Sequence, residues 1–226
     1  MERILMRRQA GFTLVEIAIV LVIIGLLLGG VLKGQELIES AKVKNIGQDF
    51  RAISIAVLTY QDKYRALPGD DPKATTRWTG ACAATIITTQ GAALGNGQID
   101  GYWNDVVSNG TGSEAACAWD HLRRANLLTG DAASGAPKNA DGGIFGITSN
   151  AAGAAVQGVG GTLIVCAGNI RGRHVIPLDA MLDDGDPSTG AMRAIVATNG
   201  NGTAPGIAAS ANNIDDNASY NVCMGF

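Results

Sequence analysis

Four sets of residues in this chain of 226 have types and spacings that could do chemistry. The first is a single carboxylate, Glu16, inside the otherwise apolar run 12–32. A charge deep in a bilayer costs about 2.5–3.5 kcal/mol on insertion scales, so an acid kept there marks a functional position that needs a partner. The second set is Cys82, Cys117, Cys166 and Cys223. No C-x-x-C pair occurs, which weakens zinc and thioredoxin-type readings, and widely spaced cysteines beyond an apolar segment favour two disulfides. Three pairings are open; the working expectation joins sequence neighbours, Cys82–Cys117 and Cys166–Cys223. The third set is Asp183, Asp184 and Asp186, clustered in a glycine-containing turn as oxygen donors to a hard cation such as calcium often are. The closing glutamate of a full EF-hand loop is missing, and Asx residues favour such turns with no ion at all. Asn96 and Asp100 in "GNGQIDG" form a weaker candidate of the same kind. The fourth set is His121 and His174, neither beside a nucleophile motif; His121, within "WDHLRRA", reads as a helix-surface residue. With no G-x-S-x-G, H-E-x-x-H or P-loop, no enzymatic activity is expected.

These residues sit on an organisation that the charge and hydropathy pattern sets out. Residues 1–11, "MERILMRRQAG", carry three arginines against one glutamate, a net +2. Positive charge before an apolar run keeps the N-terminus cytoplasmic. The run 12–32 is long enough, at about 1.5 Å per residue, to span a hydrocarbon core of about 30 Å. A secretory signal would place its small-residue cleavage site after a shorter apolar stretch; here the small residue, Gly11, comes before it. Beyond Leu32 the pattern becomes one-sided. Val43, Ile46, Phe50, Ile53, Val57, Tyr60 and Tyr64 alternate spacings of three and four, which places them on one helical stripe. One helix is therefore predicted over 12–64, its second part (33–64) amphipathic, ending before Leu67-Pro68-Gly69 because the residue before proline disfavours helical geometry. Gly25 and Gly29 would allow close helix approach in a membrane, and Asn45-Ile46-Gly47 is a plausible bend.

Residues 65–226 form the remaining domain, of ordinary size for one core. A short amphipathic helix is predicted over 114–128, with Trp119, Leu122 and Ala125 on its buried side. Strands are predicted at 160–168 and 191–198, where β-branched residues are bounded by glycine. A short helix followed by the acidic turn lies between them, and 199–217 reads as an irregular surface loop. The formal net charge of −3 and the dispersed basic residues provide no footprint for nucleic acid.

The hexapeptide Gly11-Phe12-Thr13-Leu14-Val15-Glu16, behind a basic leader and ahead of an uninterrupted apolar tail, resembles the cleavage and methylation motif of type IV pilins and type II secretion pseudopilins. "LPGDDP", "GNGQIDG" and "DDGDPSTG" resemble, more loosely, stretches of some bacterial prepilin-type proteins. The resemblance implies that a prepilin peptidase cuts between Gly11 and Phe12 and methylates the new Phe12 amine. It implies that Glu16 pairs with the terminal amine of a neighbouring subunit and sets register during assembly, since a misaligned pair leaves a charge bare. It further implies an α+β fold in which a long N-terminal helix, membrane-spanning in its first part, packs against a head with an antiparallel sheet. Implied partners are like subunits, an inner-membrane platform protein and an assembly ATPase. The implied location is the inner membrane, then a filament in the periplasm or outside the cell. Some major pseudopilins bind calcium in an acidic loop, which is the family counterpart of the Asp183, Asp184, Asp186 reading. The chain departs from many pilins in having Lys33 where they have proline. A pilus subunit and a secretion pseudopilin both fit. From another class, a single-pass anchored periplasmic binding domain would keep its leader and be indifferent to Glu16→Ala.

Overall fold

The computed structural model describes residues 13–84, 94–149, 154, 156–197, 209 and 211–226. The leader, Gly11 and Phe12 lie outside the described residues, as does most of the predicted loop 199–217. The chain divides into two compact units, Met1–Ala41 and Lys42–Phe226.

Helix α1, Leu14–Tyr64, contains no proline and is rich in Leu, Ile, Val and Ala. It passes without a break in helical hydrogen bonding through Gly25 and through Asn45–Gly47. Gly47 serves packing. A Cβ there would sit 1.7 Å from Met181 Cε, so glycine makes room for that side chain. The helix ends where the sequence predicts, with Arg65 in the left-handed region at φ 57° and its N–H on Gln61 O.

In the second unit α2 is Ala74–Arg77, α3 Glu114–Arg124 and α4 Gly172–Leu182. The strands are β1 Ala83–Ala84, β2 Thr111–Gly112, β3 Phe145–Thr148, β4 Ile164–Arg171, β5 Met192–Val196 and β6 Ser219–Gly225. The short β1 and β2 pair in parallel, and the other four form an antiparallel sheet in the order β3-β4-β6-β5. The predicted strands at 160–168 and 191–198 correspond to β4, which lies three to four residues further along, and to β5, which falls within the predicted span. Their neighbours β3 and β6 had no clear signal of their own.

The stripe on α1 is the spine of the core. Val43, Ile46, Phe50, Ile53, Val57 and Tyr60 are all buried, in one cluster with Trp119 and Leu122 of α3 and with Phe145, Val165, Ala167 and Val222 of the sheet. The Phe50 and Phe145 rings meet edge to face at 5.5 Å. Burying a side chain such as Phe50 or Ile46 is worth about 1.5–3 kcal/mol. Because strand side chains alternate between faces, Ile164 and Cys166 of β4 point the other way. There they join a smaller cluster with Trp103, Val156, Val159 and Cys223. The sheet is thus covered on both faces, which explains why β3 reads as an unbroken buried run rather than an alternating one.

Candidate functional site

The N-terminal site is built by the first turn of α1. Thr13 occupies the N-cap and Glu16 the third helical position. The Glu16 N–H donates to Thr13 Oγ1 at 3.3 Å, while the Thr13 N–H and hydroxyl both donate to Glu16 Oε2, at 2.8 and 2.7 Å. This reciprocal arrangement is a capping box: each side chain satisfies a backbone N–H that the helix start leaves without a partner. The carboxylate also faces the positive end of the helix dipole. The acid that looked stranded in an apolar run is therefore already engaged within its own chain. The sequence carried the signal in Thr13-Leu14-Val15-Glu16, a T-x-x-E spacing ahead of an apolar run, but the reading from sequence missed Thr13.

Around the box the helix is bare. Leu14, Leu21, Leu26, Leu28 and Leu32 are exposed. The most apolar window of α1 has a mean hydropathy of 2.8 with none of it buried, and α1 is long and apolar enough to cross a membrane. A Cβ added at Gly25, Gly29, Gly30 or Gly34 would meet nothing within 4 Å. The chain's own packing does not require these glycines, which fall into two i, i+4 pairs suited to close approach by another helix.

In the second unit the four cysteines form two disulfides, Cys82–Cys117 and Cys166–Cys223. The second joins directly opposed residues of β4 and β6. The first ties the segment leaving α1 to α3, and polar contacts reinforce that seam. Asp71 Oδ2 accepts from Tyr60 Oη at 2.8 Å and from Arg77, and Cys82 N–H donates to Asp120 Oδ2 at 2.8 Å. Burial pushes the Asp71 carboxyl up, but the Arg77, Tyr60 and Lys73 contacts together hold it below its ordinary value.

His121 is not on the surface, contrary to the expectation from sequence: it is buried. Its Nδ1 accepts from Gly69 N–H at 2.9 Å and its Nε2 lies 3.1 Å from Cys82 O, so the proton belongs on Nε2. The segment 65–84 folds over the side of α3 that an amphipathic reading leaves in water. Burial lowers the His121 pKa and favours this neutral form. Gly69 makes the fold-over possible, since at φ +92° a Cβ would lie 2.1 Å from Glu114 O. His174 is also buried, with Nδ1 2.7 Å from Asp141 Oδ2. Through these contacts both histidines hold structure together.

Two acidic groups remain. Asp70, Asp100 and Glu114 are all buried. Asp70 accepts from the N–H groups of Gly95, Asn96 and Gly97, Asn96 Nδ2 donates to Asp100, and Asp100 N–H donates to Glu114 Oε2. Burial, with the Asp70 and Asp100 charges adding to it, pushes the Glu114 carboxyl up to about 7. In the acidic turn, Asp183 and Asp184 converge with Asp179 of α4. Asp186 instead turns to Ser188, accepting from its N–H at 3.0 Å and its hydroxyl at 2.7 Å. Burial pushes Asp179 up to about 6, against a hydrogen bond from Gly185 and with the Asp184 and Asp183 charges adding to the rise.

A long apolar N-terminal helix with a capped acid, continuing into an α-helix-plus-antiparallel-sheet head, defines an α+β protein of type IV pilin-like layout. Residues 6–32 match the family described as the prokaryotic N-terminal methylation motif, the prepilin signature. No curated protein and no solved structure matches the chain. The motif and the layout together support a type IV pilin- or pseudopilin-like protein.

Proposed function

We propose that this chain is a structural subunit, major or minor, of a type IV pilus-type filament, without catalytic activity of its own. The reading is carried by one observation: a helix that begins in an acid-bearing capping box inside the matched motif and whose most apolar window, of mean hydropathy 2.8, has none of its residues buried. Lipid covers such a helix before assembly, and the helices of neighbouring subunits replace lipid afterwards. Cleavage after Gly11 frees the Phe12 amine for methylation and leaves it one residue ahead of the N-cap. Glu16 Oε2 is engaged by Thr13, and Oε1 has no hydrogen-bond partner among the described residues. That oxygen can take a neighbour's terminal ammonium, and a subunit out of register would leave the charge unpaired at the cost that low dielectric imposes.

The test is the mass of the native N-terminus. An N-methylated Phe12 is expected, and an intact Met1 overturns the reading in favour of a permanently anchored domain. Surface filaments containing this chain in bulk are expected for a pilus subunit. Their absence, together with loss of protein secretion on deletion, would move the assignment to a pseudopilin.

A further inference from the structure

Within the second unit a cavity of about 160 Å³ lies between α1, the end of α3 and β3. Its wall is apolar at Ile53, Leu128 and Phe145 and charged at Asp49, Arg123 and Lys138. That size is close to the roughly 150 Å³ of an engineered cavity that takes up benzene, so it suits a ligand of about six to nine non-hydrogen atoms. The filament reading gives these charges no task.

What separates this cavity from an ordinary surface hollow is Arg123. The residue is 8% exposed, and its Nη1 is buried with no hydrogen-bond partner. Among the described residues its guanidinium makes one hydrogen bond, donated by Nε to Thr129 O at 3.3 Å. The acids that act on its charge are engaged elsewhere. Both Asp120 oxygens accept from Arg124 Nε at 2.9 Å, and Asp131 Oδ1 accepts from Ala133 N–H at 2.9 Å. Gly130, at φ +107°, brings the backbone close to the side chain: a Cβ there would lie 3.3 Å from Arg123 Nε. A guanidinium held in this way with free N–H groups is a fork for a carboxylate. Asp49 lines the same cavity from α1. It is half-buried and makes no side-chain hydrogen bond or ion pair among the described residues, and burial alone raises its pKa. Asp49 and Arg123 are thus opposite charges in one cavity that do not pair with each other. An anion alone would desolvate Asp49 further, and a cation alone would do the same to Arg123; a molecule carrying both charges satisfies each.

We infer that this cavity binds a small aliphatic α-amino acid as its zwitterion, with the carboxylate on Arg123 and Lys138, the ammonium on Asp49 and the side chain against Ile53, Leu128 and Phe145. Lys138 is exposed, so it serves the rim of the cavity while Arg123 serves its interior. Ile53 and Phe145 belong to the main core and Leu128 packs against it, which gives the ligand's side chain a fixed apolar wall. Valine and leucine, of about eight or nine non-hydrogen atoms, match the size. Occupancy would tie α1 to the loop that follows α3.

Valine titrated calorimetrically into the full chain in detergent, in buffer free of other amino acids and carboxylates, tests this. One site per chain is expected, with Kd of about 10 µM–1 mM, the range that ligand efficiency allows a molecule of about eight non-hydrogen atoms. Isovalerate, which lacks the ammonium, and isobutylamine, which lacks the carboxylate, should each bind at least about tenfold more weakly, because each leaves one protein charge desolvated and unpaired. Arg123→Gln should weaken valine binding at least about tenfold. Asp49→Asn should do the same without weakening isovalerate, so that the preference for valine is lost. If Arg123→Gln does not fold, Asp49→Asn and the two analogues decide. Absence of saturable valine binding up to roughly 20 mM, well beyond that range, overturns the site. Equal affinity of the wild type for valine and isovalerate overturns it too, since the cavity would then take an anion only. So does wild-type affinity for valine in Asp49→Asn. None of these results bears on N-terminal processing, and a retained leader would not bear on them.

Discussion

Glu114 makes the second unit pH-sensitive in a direction that can be worked out and checked. The side chain is 2% exposed, and its Oε1 has no partner. Burial is the main cause of its rise from 4.5 to about 7, with Asp70 and Asp100 contributing as like charges. Between those two values the folded chain holds a proton that the unfolded chain has released. Stability then falls as pH rises, because the slope of unfolding free energy follows the protons bound unfolded minus those bound folded. The gap corresponds to roughly 3 kcal/mol, fully incurred above pH 7 and absent below about pH 4.5. Glu114→Gln keeps an oxygen for the Asp100 N–H and removes the titration. It should therefore gain about 3 kcal/mol over the wild type at pH 8 and change little at pH 4.5. Urea unfolding of both proteins at the two pH values, in detergent with disulfides intact, measures this as a double difference. Asp179 and the acids outside this cluster are present in both proteins and cancel, while the coupling of Glu114 to Asp70 and Asp100 is part of the measured difference. Equal differences at the two pH values would refute the claim that Glu114 carries a buried, displaced titration.

Three further perturbations read other parts of the structure. Phe50→Ala removes the ring that meets Phe145 in the centre of the core and should cost about 3–5 kcal/mol, read as a lowered urea midpoint at unchanged slope. Cys166→Ala with Cys223→Ala opens a loop of 57 residues across β4 and β6 and should cost about 2–5 kcal/mol by the same assay. Peptide mapping without reductant should recover Cys82 with Cys117 and Cys166 with Cys223. Thr13→Val keeps the shape of the N-cap but loses its hydroxyl, which should cost about 1 kcal/mol of helix start and give faster amide exchange in the first turn. Glu16→Ala should lose that cap and filament assembly as well, whereas Thr13→Val should slow assembly less.

The features legible in the sequence are those that depend on near neighbours along the chain. The 3–4 spacing from Val43 to Tyr60 places one face of a helix in a core whatever that core contains, and all six residues are buried. Pro68 bars helical geometry at Leu67, so α1 has to stop ahead of it and does so at Tyr64, and the length of 12–32 follows from the rise of a helix. The motif 11–16 lies in a single stretch, and T-x-x-E within it could have revealed the capping box. The cysteine pairing is not legible in this way, since spacing does not choose among three pairings.

Tertiary structure decided whatever depends on distant residues. β3 and β6 exist because β4 lies between them, and neither has enough local preference to declare itself. His121 is buried because Gly69 and Cys82, 52 and 39 residues away, close over it. Asp179 joins Asp183 and Asp184, and Asp186 leaves them, because α4 ends in a turn whose N–H groups aim each carboxylate separately. An amphipathic pattern says which face of a helix is apolar, but not whether another segment will cover its polar face. That depends on the whole chain's path, which no short window contains.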